Sequence, residues 1–535
     1  MIKAFVQRAV AFATLSLGIL AGATVGSEDP LITAVKDGLQ PEVKALLGRH
    51  ADVNAVDANG ATALAWAAMR DNLAVAALLL KAKADPNLGD VSAITPLRIA
   101  IDNLSLPMTK LLLENGANPN LGGAQGETPL MVAVHHGSTE IVRLLLQHEA
   151  DPNAREKQFG QTALMWATRD AELVRLLLAH GADVHAITRA WEITSPIYTP
   201  PTHTLGVTGI PWNHEGEFTV RAGGLHALIF AVQNENIESV RMLLDAGLDV
   251  NQPSADGTTA LLASLYNWQP AGTANPLAGG TGIKFSPNLK IAALLLDRSA
   301  SVKVANASGY TPLHALMLSM GPASAGHGAG TPGQLQLARR MLEMGADPNL
   351  ATIYPTAGPV ASVRINPLPQ GSTPYHAAAL VHDAALIELM ASFGANPNIT
   401  RKDGHTPFTV AIMADNLAAV RIMTAHGADL QMTYNPADKL ADPVEPKSEV
   451  RRNQNALHIA AAAGASQVAE FLTGHGVPLQ AKNDHGETPL QLAEDQEVFR
   501  YKAQKEGPLG LGNAHAVRST ATSDVIRKAM ANESR

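Results

Sequence analysis

The sequence predicts an all-α solenoid of about twelve helix-turn-helix units joined by short hairpin loops, and three observations predict it. Variants of one block recur at a shortest interval of 33 residues: Thr-Pro-Leu-His, a small-residue helix, a Leu-rich helix, then Gly-Ala-Asp-Pro-Asn. The Leu-rich segments are apolar on too many sides to lie against water, so each must be sandwiched between neighbours. Aromatic residues make up only 4% of the 535, so Ala and Leu supply the apolar content and the core accumulates unit by unit. A unit that cannot bury its own apolar face buries it by stacking.

The chain opens with a separate segment, residues 1–23. Lys3 and Arg8 precede an apolar run from Ala9 to Leu20, and Ala21-Gly22-Ala23 offers a small-residue cleavage site before Thr24. The run falls short of the ~20 residues that span a bilayer. These features predict a cleaved signal peptide and a mature chain that is periplasmic or secreted. The chain has no cysteine, which removes disulfides and thiolate metal sites. Its net charge of -8 becomes -10 without the leader, which disfavours a nucleic-acid partner.

Repeats begin at Asp29, Thr62, Thr95, Thr128, Thr162, His226, Thr259, Thr311, Thr373, Thr406, Asn455 and Thr488. The fourth shows the local logic. Thr128 caps a helix whose first turn accepts Pro129, because that nitrogen needs no intrahelical partner, and Gly137 ends it. The second helix carries Ile141, Val142, Leu144, Leu145 and Leu146. Ala67, Ala100, Ala133, Ala167 and Ala411 hold one small-residue slot that lets helix pairs approach closely. Pro152, in Ala-Asp-Pro-Asn, forbids continuation of the helix.

A period of about 33 residues with a T-P-L-H-x-A signature resembles the ankyrin repeat, and the resemblance covers most of the chain. It implies an ankyrin-repeat solenoid that binds protein partners through the tips of its finger loops and the groove-side helices. Matching positions are residues 56–59, Lys402, Asp403, Asp484 and His485. It also implies that His314, His376 and His458, in the His slot of T-P-L-H, bridge neighbouring loops. Twelve units at roughly 10 Å each make an arc on the order of 100 Å.

The individuality lies where the spacing breaks, at intervals of 64, 52, 62 and 49 residues. The repeats occupy residues 24–187 and 223–505. Insertions fall at 188–222, near 269–287, 321–333, 350–371 and 432–453, and 506–535 is a C-terminal tail with a capping helix at 523–530. Residues 188–222 read as an irregular loop, since Pro196, Pro200, Pro201 and Pro211 prevent a helix. They hold Trp191, Tyr198, Trp212, His214 and Phe218, which either bind a partner or cover core exposed by the broken register. Tyr354, Tyr434, Arg451 and Arg452, in or beside other insertions, complete the candidate binding residues.

Histidines invite a test for chemistry. His148, His180, His426 and His475 share the slot at the end of the second helix, where an imidazole suits the last carbonyls and the dipole. Neighbouring helices stand about 8–10 Å apart, too far for two such rings to share a metal easily, and no carboxylate stands in a fixed relation to them. No nucleophile elbow, zinc-protease motif or phosphate loop is present. The sequence therefore predicts a monomeric, non-catalytic scaffold for a protein partner, without cofactor or metal. An accessory factor that stabilises a periplasmic redox or respiratory enzyme, and a secreted effector that binds a host protein, are the alternatives.

Overall fold

A computed structural model describes residues 29–199, 213–265, 287–320, 330–353, 368–435, 451–506 and 521–533. Among them, paired helices alternate along the chain with one two-stranded ribbon, an all-α ankyrin-type fold with little sheet. The chain divides into two compact units, the first holding repeats one to six and the second repeats seven to twelve.

Helix starts follow the cap chemistry. The Thr62, Thr95 and Thr128 hydroxyls accept the amides three residues on, from Ala65, Arg98 and Met131, at 3.1, 3.2 and 3.3 Å. Second helices begin on Asn72, Ser105, Asn236, Asn288, Asp383 and Asn416 in the same way. Gly137 ends the first helix of repeat four at φ 73°. The first helix of repeat five, Ala163–Ala167, is only 5 residues long, since its cap Thr162 stands two residues closer to the next cap, Asp170, than Thr128 does to Ser138 in repeat four. Ala67, Ala100, Ala133, Ala231 and Ala411 are fully buried. Within each unit, first helices pack on first helices and second on second.

Asparagine supplies a staple that sequence reasoning missed. The Asn of Ala-Asp-Pro-Asn accepts the amide of the Asp or Asn one repeat later: Asn87 from Asn118 at 2.7 Å, Asn120 from Asp151 at 2.7 Å, Asn398 from Asp429 at 2.9 Å. The same side chains donate to the carbonyls of Gly116, Glu149 and Gly427. Finger turns are also zipped to one another. Val91 N–H donates to Asn59 O, Lys157 to Gln125, Arg189 to Phe159, and in the second unit Lys402 to Gln370 and Asp484 to Arg452.

The described parts of the segment expected to be an irregular loop form a β-ribbon. Strands β1, Ala190–Thr199, and β2, Asn213–Gly223, pair with each other. The prolines exclude a helix but leave a strand open, because strand pairing needs only some of the amides. The ribbon is rooted by the Ile187–His226 antiparallel bridge and by Thr188, whose amide donates to Leu225 O and whose hydroxyl accepts the Leu225 amide, both at 2.9 Å. Near the other end of the chain, the first helix of repeat twelve runs Pro489–Glu506, and a last helix, Ala521–Glu533, packs on it and on the second helix of repeat eleven. Ser523 Oγ donates to Glu497 at 2.8 Å, and Ile526 is fully buried.

Candidate partner-binding face

Five residues mark a row along the first helices of the first unit, each four beyond the capping position: Trp66, Ile99, Val132, Trp166 and Phe230. All but Val132 are half-buried, so apolar area stays open to solvent. In the second unit the same slot holds Ala263, Ala315, Ala377, Val410, Ile459 and Leu492, all buried. A large aromatic on a close-packed first helix cannot be swallowed by the Ala-lined seam, and it projects toward its own finger turn. Trp66 Nε1 donates to Asp57 at 2.9 Å and Trp166 Nε1 to Gln161 at 2.5 Å, which fixes both indoles.

Polar side chains frame the row. Lys36 Nζ sits 4.1 Å above the Trp66 ring and 3.2 Å from Asp57. Burial works against ionisation of Asp57, but hydrogen bonds from Trp66, the Ala61 and Asn59 amides and Lys36 outweigh it and hold the carboxyl below its usual range. Arg98 and His136 flank Asp102 at 3.0 and 3.1 Å. His135 meets Trp166 edge-on at 5.9 Å, and desolvation, then His136, Arg169 and Arg98, keep its imidazole neutral to lower pH than usual. Arg169 donates to Asn234 at 3.0 Å.

Finger turns add exposed apolar tips beside the row: Val56, Val91, Phe159 and Trp191, with Val91 80% exposed. Trp191 is thus the sequence-nominated residue that lies on this face, 39% exposed and 5.6 Å from the Phe159 ring. Tyr198, His214 and Phe218 lie on the ribbon, but their side chains lie outside the described residues, as do Trp212 and Tyr354 altogether.

In the second unit the other nominated residues join neighbouring fingers. Tyr434 stacks on His405 at 4.3 Å and 18°, donates from its hydroxyl to Asp403 O, and pairs with Gln454 through the backbone. Arg451 grips Glu487 at 2.6 and 3.1 Å and, as the largest influence on it, lowers that carboxyl. The Arg452 amide donates to Asp484, and Asp484 pairs with His485 at 2.9 Å.

The T-P-L-H histidines bridge loops in the manner the resemblance implies. In His376, Nδ1 accepts the Thr373 amide at 3.0 Å, so the proton sits on Nε2, which donates to His405 O at 3.2 Å. His314 joins Thr311 to Ser372 O and His458 joins Asn455 to Glu487 O in the same way. Of the helix-end histidines, His180 and His475 contact the carbonyls of Leu176 and Phe471 at 2.9 and 2.7 Å. His426 Nε2 lies 3.2 Å from Glu388, one repeat away, a contact that sequence distance hid. Among the described residues, no group of three His, Asp or Glu side chains could hold a metal ion, and no helix is long and apolar enough to cross a membrane.

Aligning the fifth residue of each repeat would have exposed the aromatic row. Sequence reasoning instead followed the insertions, which attract notice because they break the period.

Two family models agree with this architecture. Residues 31–122 and 97–188 match a family model of ankyrin repeats in three copies, and residues 440–493 match a second model of ankyrin repeats in many copies. These segments of the chain are ankyrin repeats. Among solved structures, the ankyrin repeat domain of Bcl-3, a member of the IkappaB protein family, is similar at 25% identity. The likeness covers 44% of this chain and 93% of that one, with a TM-score of 0.36. No curated protein matches.

Proposed function

We propose that this chain is a non-catalytic protein-interaction scaffold whose partner lies along the first helices and finger tips of the first unit. One observation carries the reading: the row Trp66, Ile99, Trp166 and Phe230 is half-open there and three of the four are aromatic, while its counterpart in the second unit is aliphatic and closed. Rigid aromatic side chains with open area are the residues that anchor protein interfaces. Ankyrin repeats are in general protein-interaction modules, which supports the same assignment.

The leader pattern in residues 1–23 supports export, so the partner is sought in the periplasm or the medium. Recovery of the chain in the cytosol with Met1–Ala23 intact would remove that part of the proposal. The interaction itself is tested by affinity capture with the mature chain, with Trp166→Ala, and with residues 193–221 replaced by a short Gly-Ser link. The partner should be lost or weakened about tenfold with Trp166→Ala. An unchanged catch from that variant would move the interface elsewhere. The identity of the captured protein then distinguishes an enzyme accessory from a host-directed effector.

A further inference from the structure

A patch on the fourth and fifth finger turns of the first unit has a chemistry of its own. The Trp191 ring rests on Gly223, where a Cβ would come within 2.7 Å of the ring, and meets Phe159 beside it. Both rings remain open in front, 39% and 37% exposed. They are fixed from behind, so seating a ligand against them costs little ordering.

Three cations stand on the same two turns as the pair. Arg155 Nη1 donates to Gly160 O and Ile187 O at 3.2 and 2.5 Å, and Arg189 Nη1 to Lys157 O at 2.6 Å. Lys157 Nζ donates to Ala124 O at 3.2 Å. Lys157 and Arg189 are also held by the turns they cross: a Cβ on Gly126 would meet Lys157 Cγ at 2.9 Å, and one on Gly160 would meet Arg189 Cγ at 3.1 Å. All three are exposed, and none has a carboxylate within ion-pair distance among the described residues.

The acid between them faces inward. Glu156 is buried, and its carboxylate accepts the amides of Gln158, Phe159 and Gln161 at 2.6 to 2.8 Å. Glu192, next after Trp191 in the sequence, is exposed. The result is a small basic, aromatic surface on a chain of net charge -8. A long polyanion would be repelled beyond this patch, whereas a short acidic segment fits within it.

We infer that the fingertip patch binds an acidic segment of a protein partner, with carboxylates at Arg155, Lys157 and Arg189 and one apolar side chain against Trp191 and Phe159. This rests on the interaction reading above and adds the chemistry of what is bound. The test uses the full chain and four labelled probes followed by fluorescence anisotropy. They are a short Asp/Glu peptide centred on one Phe, its Asn/Gln counterpart, an acidic version with Ser for Phe, and a thymidine oligonucleotide of similar length.

The acidic Phe peptide should bind best, weaken as salt rises, and lose about tenfold in affinity with Lys157→Glu, Arg189→Glu or Trp191→Ala. Arg189→Lys should retain binding, and Lys81→Glu, on a second helix, should leave it unchanged. Equal binding of the neutral peptide, indifference to the charge reversals, or tighter binding of the oligonucleotide would each overturn the inference. A captured partner lost with Trp166→Ala but retained by Lys157→Glu and Arg189→Glu would overturn it too, while leaving the interaction reading intact.

Discussion

His314 and His376 carry out at residue scale what makes a stack of small repeats cohere, since each ring closes a helix start and reaches the next loop. Both Nδ1 atoms accept a backbone amide, so a second proton would set N–H against N–H in a buried site. Burial accordingly depresses them, His314 to about 4 and His376 to about 3, and His405 beneath Tyr434 falls to about 4. The unfolded chain titrates near 6.5, so below that pH it binds protons that the folded chain does not. Stability is therefore complete above about pH 6.5 and declines as pH falls toward about 4, by up to ~1.4 kcal/mol per pH unit for each ring. Gln491 already fills the same slot in repeat twelve, its side-chain oxygen accepting the Thr488 amide at 2.9 Å. His314→Gln with His376→Gln should thus keep the caps and flatten the fall in melting temperature between pH 7 and 5. A slope as steep as that of the parent would refute the assignment.

At the scale of elements, the period made the helix pairs legible, because Thr caps, the Ala slot and the Leu-rich stripe all act within one repeat. The Asn staples and the His426–Glu388 contact were not legible, since their partners stand about one repeat away in sequence. The ribbon was hidden for another reason: Pro196, Pro200, Pro201 and Pro211 exclude a helix but do not choose between a loop and a strand. Helix ends offer a sharper test. After the second helix the chain turns left-handed at Gly116, Gly181, Gly247, Gly394 and Gly427, yet the same slot holds His50, Lys83, Glu149 and Ser299 at φ 63–73°. At Gly116 an added Cβ would touch nothing within 4 Å, so backbone strain alone sets the effect of a side chain. Gly116→Ala should cost about 1 kcal/mol, and Glu149→Gly should gain somewhat less, because glycine also loosens the unfolded chain. Paired urea titrations check both signs, and equal shifts in one direction would contradict the strain account.

At the scale of the whole molecule, the two units share one architecture and differ in what their first helices show. Ala263, Ala315 and Ala377 close the second unit's seam, where Trp66, Trp166 and Phe230 leave the first unit's row open. That contrast, with the exposed Trp191 and Phe159 tips, is the observation on which the proposal of partner recognition by the first unit rests. The candidate residues read from the sequence were divided accordingly: Trp191 lies on the open face, while Tyr434 and Arg451 hold neighbouring fingers together. The most direct test places a photo-reactive phenylalanine analogue singly at Trp166, at Trp191, at Lys81 on a second helix, and at Ala377 in the closed row, and irradiates cells expressing each full-length chain. Discrete adducts with one protein from positions 166 and 191, and none from 81 or 377, are the predicted result. Adducts from 81 or 377 with none from 166 and 191 would contradict it.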